Sequence, residues 1–389
     1  MRITWVSRSL LDYYIPLIAR VNERAGGQLT FITSGLWSPP RVLSKLKEVL
    51  GGRALILTGE KSIGEDMPLA ANVSVCIPYQ PGLLKAIGQS RPDVLIGDGF
   101  FQWTSFALAH RILHGTGLVV GYERTFHTER NSQWYRTAYR RMVLRYVDAV
   151  CCNGSLSVEY TRWLGMSPGR ITLGRMAADT DGLSTQAGQV SQSQRQQTRE
   201  SWESQGLVFL YVGQLIARKG LKERLDGWSL FEKAQPGQGT LVIVGQGPEE
   251  GSLRRQAAEL GLRFVRFQGA VDYDQIACAY ASADAFAIPT LEDNWSLVVP
   301  EAMSCGLPIL CSRYIGCWPE LIRPGNGWVF DPLDPRDIQR VLQRALESRA
   351  NLPAMGDRSR QIVRDYSPDH AADALFKACE IAVQRGKNR

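Results

Sequence analysis

The sequence has none of the features of a membrane-spanning, secreted or disulfide-stabilised chain. It contains no run of about 18 uninterrupted apolar residues, which excludes a transmembrane helix. Residues 1–7 have the pattern of a first β-strand and lack the layout of a signal peptide. The 8 cysteines are scattered without a C-x-x-C spacing, which favours reduced, buried thiols over disulfides or zinc ligands. We therefore expect a cytoplasmic protein, soluble or held peripherally at the inner face of a membrane.

Nucleic acid is not an expected partner either. The formal charge of +7 and the pI of about 9.0 are compatible with nucleic acid, a membrane surface or an anionic substrate. The chain has no recognisable nucleic-acid-binding motif and no basic stripe interleaved with aromatic residues. With 389 residues, of which 44% are hydrophobic, it is long enough to form two domains with full cores.

Two stretches of the chain, residues 1–177 and 206–369, alternate short β-rich segments with longer helical patterns. Such alternation is typical of a doubly wound parallel α/β sheet, in which ligands bind at the carboxyl ends of the strands. Between them, residues 178–205 are rich in Ser, Gln, Thr and Asp, which indicates a linker or a long exposed loop. Two α/β domains joined by a hinge would face a central cleft. The predicted strands are Ile3–Val6, Leu29–Ile32, Ala54–Leu57, Val73–Ile77, Val94–Ile96, Leu118–Val120, Ala149–Cys152, Val208–Val212, Thr240–Val244, Phe264–Phe267, Ala285–Ile288, Pro308–Cys311 and Gly327–Phe330.

The stretch 289–308 carries the most chemical information. A short acidic loop follows a predicted buried strand, and an apolar helix is predicted from near Ser296 to Gly306. The loop would face the N–H-rich end of that helix, where an anionic group is favoured. Asp293 and Glu301, with seven residues between them, border the loop. A phosphate-binding backbone beside carboxylates suggests a nucleotide-sugar site, and a surface loop with a helix cap and a solvated Glu is the alternative.

Asp293-x7-Glu301, followed by Gly306-Leu-Pro308, resembles the acidic signature of the retaining enzymes of glycosyltransferase family 4. The family's usual pattern has Glu at both ends and a Phe-Gly-Leu core, whereas here the first acid is Asp and the core is Trp295-Ser-Leu297. The resemblance implies the GT-B fold, with two Rossmann-like doubly wound parallel-sheet domains facing a central cleft. It also implies that the last helix, residues 370–389, packs back on the N-terminal domain.

A glycine-bearing loop follows the first predicted strand of the second domain. Gly213 and Gly220 allow close backbone approach to a ligand, and Lys219 offers a compact cation for a diphosphate. The segment resembles the family pattern Gly-Arg-x4-Lys-Gly, but Gln214 stands in place of the usual Arg. Either Arg218 compensates for the missing charge or diphosphate binding is weaker. The alternative is an ordinary strand–loop–helix connection with a solvated Arg-Lys pair.

Three further glycines resemble family positions beside the nucleotide. Gly245-x-Gly247 follows a predicted strand, but a lone Gly-x-Gly is weak support for a dinucleotide site because the full six-residue spacing is absent. Gly269 ends a Phe-Gln-Gly segment that resembles the one bordering the base in the family. We expect these glycines to form part of the nucleotide-binding wall.

Two features of the first domain remain open. His127, one of 4 histidines, lies on a loop after a predicted strand and resembles a histidine that family 4 enzymes often carry there. Glu123 is the other candidate for that position, and a buried structural role for His127 is equally open. The basic helix 133–146 places Arg136 and Arg140 on one face. This face fits a membrane surface or a diphospho-lipid acceptor, or is simply solvated.

The resemblance implies a retaining, metal-independent transfer of a sugar from a UDP- or GDP-linked donor to a saccharide, lipid-linked or small-molecule acceptor. Polysaccharide biosynthesis or glycolipid assembly at the cell surface is the expected role. Glu301 would accept hydrogen bonds from the ribose hydroxyls, and Asp293 would hold the donor sugar. Lys219 would stabilise the departing diphosphate, together with the backbone amides of Trp295, Ser296 and Leu297. Alternatives are an inverting transferase or epimerase, and a non-catalytic nucleotide-binding or interaction protein on a GT-B scaffold.

Overall fold

The computed structural model describes residues 1–63 and 77–387. The chain forms two units: unit 1 comprises residues 1–177 and 368–389, and unit 2 comprises residues 178–367. The predicted strand Val73–Ile77 lies outside the described residues except for its last residue.

Unit 1 is built around a parallel sheet. Its central strands are buried on both faces and are therefore nearly continuous in apolar residues, as in Gly117–Tyr122, all six residues of which are buried. The strands of unit 1 are β1 (Ile3–Val6), β2 (Leu29–Ser34), β3 (Ala54–Leu57), β4 (Lys61–Ile63), β5 (Ile77–Tyr79), β6 (Val94–Asp98), β7 (Gly117–Tyr122), β8 (Ala149–Cys152) and β9 (Ile171–Leu173). Its helices are α1 (Tyr14–Arg24), α2 (Pro40–Leu50), α3 (Leu83–Gln89), α4 (Thr104–His114), α5 (Trp134–Leu144), α6 (Ser155–Leu164) and a C-terminal helix (Pro368–Lys387).

The strand order in unit 1 is β3-β2-β1-β6-β7-β8-β9, and β4 and β5 form a separate antiparallel pair. Ile3 pairs with Leu29 on one side and with Val94 on the other, so the strand order reverses at β1. The C-terminal helix packs against this sheet, and a Cβ added to Gly117 would lie 3.2 Å from the Cβ of Ala382. The sequence after unit 2 therefore contributes to the core of unit 1.

Unit 2 has a six-stranded parallel sheet in the order β12-β11-β10-β13-β14-β15. Its strands are β10 (Leu207–Val212), β11 (Gly239–Val244), β12 (Val265–Gly269), β13 (Ala285–Ile288), β14 (Ile309–Ser312) and β15 (Gly327–Phe330). Its helices are α7 (Thr180–Gln189), α8 (Gln192–Ser201), α9 (Leu221–Ala234), α10 (Glu250–Glu259), α11 (Ile276–Ala281), α12 (Val298–Ser304), α13 (Trp318–Leu321), α14 (Pro335–Glu347) and α15 (Leu352–Val363). The chain leaves β10 for β11 on one side and returns to β13 on the other, so the order reverses between β10 and β13. Ligands of open α/β sheets bind at such a reversal.

The prediction of a linker or loop over residues 178–205 is wrong, because α7 and α8 occupy most of this segment. Its polar residues are helix caps and solvent-facing positions. Asp179 accepts a hydrogen bond from the Gly182 amide at 3.1 Å, and Ser191 forms a reciprocal capping box with Gln194. Trp202, only 5% exposed, anchors the segment in unit 2.

Candidate active site

The loops that follow β10, β11 and β12 in unit 2 are held together by their backbones. The Gly213 amide donates to the Val244 carbonyl at 3.0 Å, and the Gly245 amide donates to the Gly269 carbonyl at 2.7 Å. A Cβ on Gly245 would lie 1.8 Å from the Gly213 carbonyl oxygen, and one on Gly247 would lie 2.3 Å from the Leu215 oxygen. Glycine is therefore required at positions 245 and 247, and the structure brings Gly213, Gly245, Gly247 and Gly269 together in one backbone wall.

The loop after β10 also contacts the loop after β13. Gly220 adopts a φ of +69°, and a Cβ there would lie 2.2 Å from the Pro289 carbonyl oxygen. The Leu291 amide donates to the Arg218 carbonyl at 2.9 Å, and the Arg218 guanidinium donates to the Glu292 carbonyl at 3.3 Å. These contacts place the Lys-Gly segment beside the acidic loop at the reversal of strand order.

Lys219 and Asp293 form an ion pair across these two loops. The Lys219 Nζ lies 2.6 Å from the Asp293 Oδ2, and the two side chains are 13% and 16% exposed. The other oxygen, Oδ1, accepts hydrogen bonds from the Trp295 amide at 3.3 Å and the Ser296 amide at 3.2 Å. Burial alone would raise the pKa of Asp293, but Lys219, Arg218 and the Trp295 amide together lower it below its ordinary value. The carboxylate is therefore ionised at neutral pH.

The acidic loop differs in detail from the predicted phosphate-binding backbone. Helix α12 begins at Val298, two residues later than expected, and two of the three candidate amides, those of Trp295 and Ser296, donate to Asp293. Ser296 adopts a φ of +58°, which is uncommon outside glycine. Leu297 precedes the helix at the N-cap position. An anion that binds at this loop would therefore have to compete with Asp293 for the amides of Trp295 and Ser296.

Glu301 lies inside α12 and is only 6% exposed. Its Oε2 accepts a hydrogen bond from the Tyr280 hydroxyl at 2.9 Å. Burial raises the pKa of Glu301 to about 7, although hydrogen bonds from Tyr280 and Tyr273 oppose the rise. Near neutral pH the carboxyl can therefore exist in either protonation state.

Sequence reasoning missed three residues of this region. Tyr280 lies in an apolar helix pattern that gave no sign of a hydroxyl directed at Glu301. The Tyr211 hydroxyl donates to the Gln214 carbonyl at 3.0 Å and so supports the glycine loop. A Cβ on Gly316 would lie 1.8 Å from the Asn294 carbonyl oxygen, so the loop after β14 packs on the acidic loop.

His127 and Glu123, the candidate site residues of the first domain, lie in unit 1. The carbonyl of His127 accepts a hydrogen bond from the Arg130 guanidinium at 2.5 Å, and the Glu123 carboxylate lies 3.6 Å from the Arg175 guanidinium. The expectation that Arg140 shares an exposed face with Arg136 is wrong. Arg140 is 2% exposed and pairs with Glu129 at 2.7 Å, because helical spacing cannot reveal a buried carboxylate from the preceding loop.

Two further findings concern ions and membranes. Within residues 1–63 and 77–387, no group of three or more His, Cys, Asp or Glu side chains is placed to hold a metal ion. Over the same part of the chain, no helix is long and apolar enough to cross a membrane.

Solved structures match nearly the full chain. HepE from Anabaena, in complex with UDP and glucose, has a TM-score of 0.74 over 98% of this chain and 99% of that chain, at 15% identity. Sucrose-phosphate synthase from Thermosynechococcus elongatus has a TM-score of 0.70 over 97% and 98%, at 17% identity. Together with the two parallel sheets, these likenesses establish the GT-B fold.

Sequence profiles narrow the class further. The family described as "Glycosyltransferase Family 4" matches residues 18–181, and "Glycosyl transferases group 1" matches residues 192–362. Glycogen synthase of Mycobacterium tuberculosis is 28% identical over 270 residues, 67% of this chain and 62% of that protein. O-antigen chain mannosyltransferase B of Escherichia coli is 28% identical over 141 residues, 36% of each. The chain spans less than two thirds of the length of these curated relatives. It belongs to glycosyltransferase family 4.

Proposed function

We propose that the protein is a retaining glycosyltransferase that moves a sugar from a UDP- or GDP-linked donor to an acceptor hydroxyl. The observation that carries this proposal is the Lys219–Asp293 pair at the reversal of strand order in unit 2. The HepE complex with UDP and glucose supports a UDP-sugar. A GDP-mannose-dependent mannosyltransferase of Corynebacterium glutamicum, 30% identical over 149 residues, supports a GDP-sugar.

The ion pair suggests how the donor engages the site. The diphosphate competes with Asp293 for Lys219, and the cation then stabilises the negative charge that grows on the leaving group. Once released from Lys219, Asp293 is available to accept from the hydroxyls of the donor sugar. Arg218, next to Lys219, supplies a second positive charge at this loop, and the proposal includes no metal ion.

Glu301 is proposed to bind the ribose. An ionised carboxylate accepts hydrogen bonds from two hydroxyls, whereas a protonated one also donates. The Tyr280 hydroxyl fixes the orientation of this carboxyl by donating to one of its oxygens. Donor binding should therefore favour the ionised form of Glu301.

The acceptor is proposed to be a saccharide, lipid-linked or small-molecule hydroxyl compound. O-antigen chain mannosyltransferase B, among the relatives, supports a role in cell-surface polysaccharide or glycolipid assembly. His127 remains a candidate for contact with the transferred sugar or the acceptor.

The first experiment is a thermal-shift screen of the purified protein with UDP, GDP, ADP and their common sugar conjugates. A ligand that binds only the folded state raises its apparent stability. We expect a shift with one nucleotide that is abolished in Glu301→Ala and Lys219→Ala and retained in the exposed control variants Glu259→Ala and Lys233→Ala. No shift with any nucleotide would favour a non-catalytic role for the scaffold.

The stereochemistry needs its own measurement. With the donor identified by the screen, NMR of the product should show the same anomeric configuration as the donor. An inverted anomer would identify an inverting transferase, and an epimerised free sugar nucleotide would identify an epimerase.

We also propose a peripheral membrane contact through α5 and its neighbour α6. Trp134 is 81% exposed and Trp163 is 48% exposed, and the Arg141 guanidinium lies 4.6 Å from the centre of the Trp163 ring. Exposed indoles next to arginines are suited to the interface of an anionic bilayer.

Co-sedimentation with vesicles tests this contact. The protein should bind phosphatidylglycerol-containing vesicles more tightly than phosphatidylcholine vesicles. The double variant Arg141→Gln/Arg145→Gln should weaken binding, whereas Lys47→Gln/Arg53→Gln, with the same charge change on exposed residues, should not. If both double variants bind the vesicles equally well, the membrane contact through α5 and α6 is refuted.

A further inference from the structure

Ser296, in the acidic loop of unit 2, combines two unfavourable features. Its backbone adopts a φ of +58°, in the left-handed region that residues with a Cβ disfavour. Its side-chain hydroxyl is buried and has no hydrogen-bond partner among residues 1–63 and 77–387, and the residue is only 8% exposed. A buried hydroxyl without a partner is costly, because it has given up its hydrogen bonds to water and gained none in return. Glycine would avoid both costs at this position.

The neighbours of Ser296 are the charged groups of the candidate site. Its amide donates to Oδ1 of Asp293 at 3.2 Å, and the other oxygen of that carboxylate, Oδ2, lies 2.6 Å from the Lys219 Nζ. One carboxylate therefore joins the Ser296 backbone to the Lys219 ammonium. The Arg218 guanidinium, which donates to the Glu292 carbonyl at 3.3 Å, brings a second cation to the same loops. An anionic ligand that pairs with Lys219 would thus lie close to Ser296.

The hydroxyl is the part of Ser296 that can serve such a ligand without displacing Asp293. The Ser296 amide already donates to the Asp293 carboxylate, whereas the hydroxyl has a proton to donate and no acceptor for it. Phosphate oxygens are strong acceptors for a hydroxyl donor. Rotation about the single torsion angle χ1 is enough to redirect a serine hydroxyl. Non-glycine residues held in the left-handed region cluster at ligand-binding sites, where the strain persists because binding uses it.

We propose that the Ser296 hydroxyl donates a hydrogen bond to the terminal phosphate of the nucleoside diphosphate, an inference that rests on the proposed glycosyl transfer. This phosphate is the one next to the transferred sugar. Lys219 neutralises its charge, and Ser296 fixes the position of one of its oxygens. A nucleoside monophosphate lacks the terminal phosphate and leaves the hydroxyl without its acceptor. Ser296 is therefore a residue that selects a diphosphate over a monophosphate.

Titration calorimetry tests the proposal with the diphosphate and the monophosphate of one nucleoside, uridine or guanosine, as probes. Ser296→Ala keeps the Cβ and removes only the hydroxyl. It should bind the diphosphate about tenfold more weakly than the wild type does, an effect of about 1.4 kcal/mol, and should bind the monophosphate equally well. Its Tm without ligand should not fall, because no internal hydrogen bond is lost. Ser296→Gly should lose the same affinity and gain in Tm, because glycine adopts this φ without strain.

Ser359→Ala is the matched control, at another buried serine of unit 2. The Ser359 hydroxyl accepts from the Asn326 side-chain amide at 3.3 Å, so this variant should lower Tm and leave both affinities unchanged. The role of the Ser296 hydroxyl is refuted if Ser296→Ala binds the diphosphate as tightly as the wild type does. It is equally refuted if the variant loses affinity for both nucleotides alike, or if its Tm falls as in Ser359→Ala. If the wild type binds neither UDP nor GDP, the proposed transfer itself is at fault.

Discussion

Replacing Arg224 by methionine should stabilise the protein, although the change removes a charge from its interior. Arg224 lies in α9 and is 0% exposed. None of its three guanidinium nitrogens has a hydrogen-bond partner within the described part of the chain, and the guanidinium lies 5.9 Å from the centre of the Trp228 ring. Burial accordingly lowers the pKa of Arg224 to about 9.

The size of the effect follows from that burial. The lowered pKa of Arg224 corresponds to a cost of charging it in the folded state on the order of 5 kcal/mol. The contact with Trp228 offsets about 1–2 kcal/mol. Methionine keeps most of the aliphatic volume, so the net gain in the free energy of unfolding should be about 3 kcal/mol. Replacement of buried ion pairs by apolar residues of similar volume has given gains of about 1–4 kcal/mol elsewhere.

Differential scanning calorimetry would measure the gain. For a domain of about 150–250 residues, each kcal/mol raises Tm by about 2–4 °C, so the transition of unit 2 should rise by roughly 6–12 °C. Arg224→Lys keeps a positive charge at the site and is the matched control, which should not gain stability. An unchanged or lower Tm for Arg224→Met would refute the reasoning and show that the guanidinium has a partner of its own.

Four other changes test the site and its supports. Gln214→Arg should bind the nucleotide identified by the screen roughly tenfold more tightly, because a charge-assisted hydrogen bond contributes about 1.5–3 kcal/mol; calorimetric titration that shows weaker binding would contradict this. Gly245→Ala should lower the free energy of unfolding by about 1–3 kcal/mol in denaturant titrations, because the added Cβ clashes with the Gly213 carbonyl. A variant as stable as the wild type would contradict the close backbone contact between these two loops. Ser191→Ala should cost about 1 kcal/mol by removing the cap of α8, read as a fall in Tm. Glu301 retains its proton in the folded state up to about pH 7, whereas the unfolded chain releases it at lower pH, so stability should fall by on the order of 3 kcal/mol as pH rises towards 7. Glu301→Gln should abolish this fall in stability between pH 5 and pH 7, as measured by denaturant titration at both pH values. If the variant loses as much stability as the wild type, a group other than Glu301 is responsible.

The alternation of strands and helices could be predicted from the sequence because buried parallel strands consist of apolar runs. β10, with the sequence Leu-Val-Phe-Leu-Tyr-Val, has only its last residue partly exposed. The segment 178–205 was misjudged for the converse reason. Helix α8 has no buried residue, so its composition resembles that of a linker, and only the Ser191–Gln194 pair indicates a helix start.

The site could be predicted residue by residue but not as an arrangement. The motifs indicated Lys219 and Asp293 separately, and the resemblance gave each its own partner on the donor. Their ion pair joins positions 74 residues apart, and no local pattern indicates such a contact. Arg140 shows the same limit, since its burial depends on Glu129, which lies outside the helix that carries the arginine.

The discontinuous make-up of unit 1 has a consequence for biosynthesis. Ala371, Leu375, Ala378 and Ala382 of the C-terminal helix belong to the same hydrophobic core as β1 and α1. A ribosome that has translated residues 1–177 has therefore not yet produced one side of that core, whereas unit 2 is complete once Ser367 has emerged. The portion of the protein that is synthesised first is thus the last to finish folding. Until the C-terminal helix emerges, the sheet face that it covers stays exposed, and exposed apolar surface of this kind is what chaperones bind.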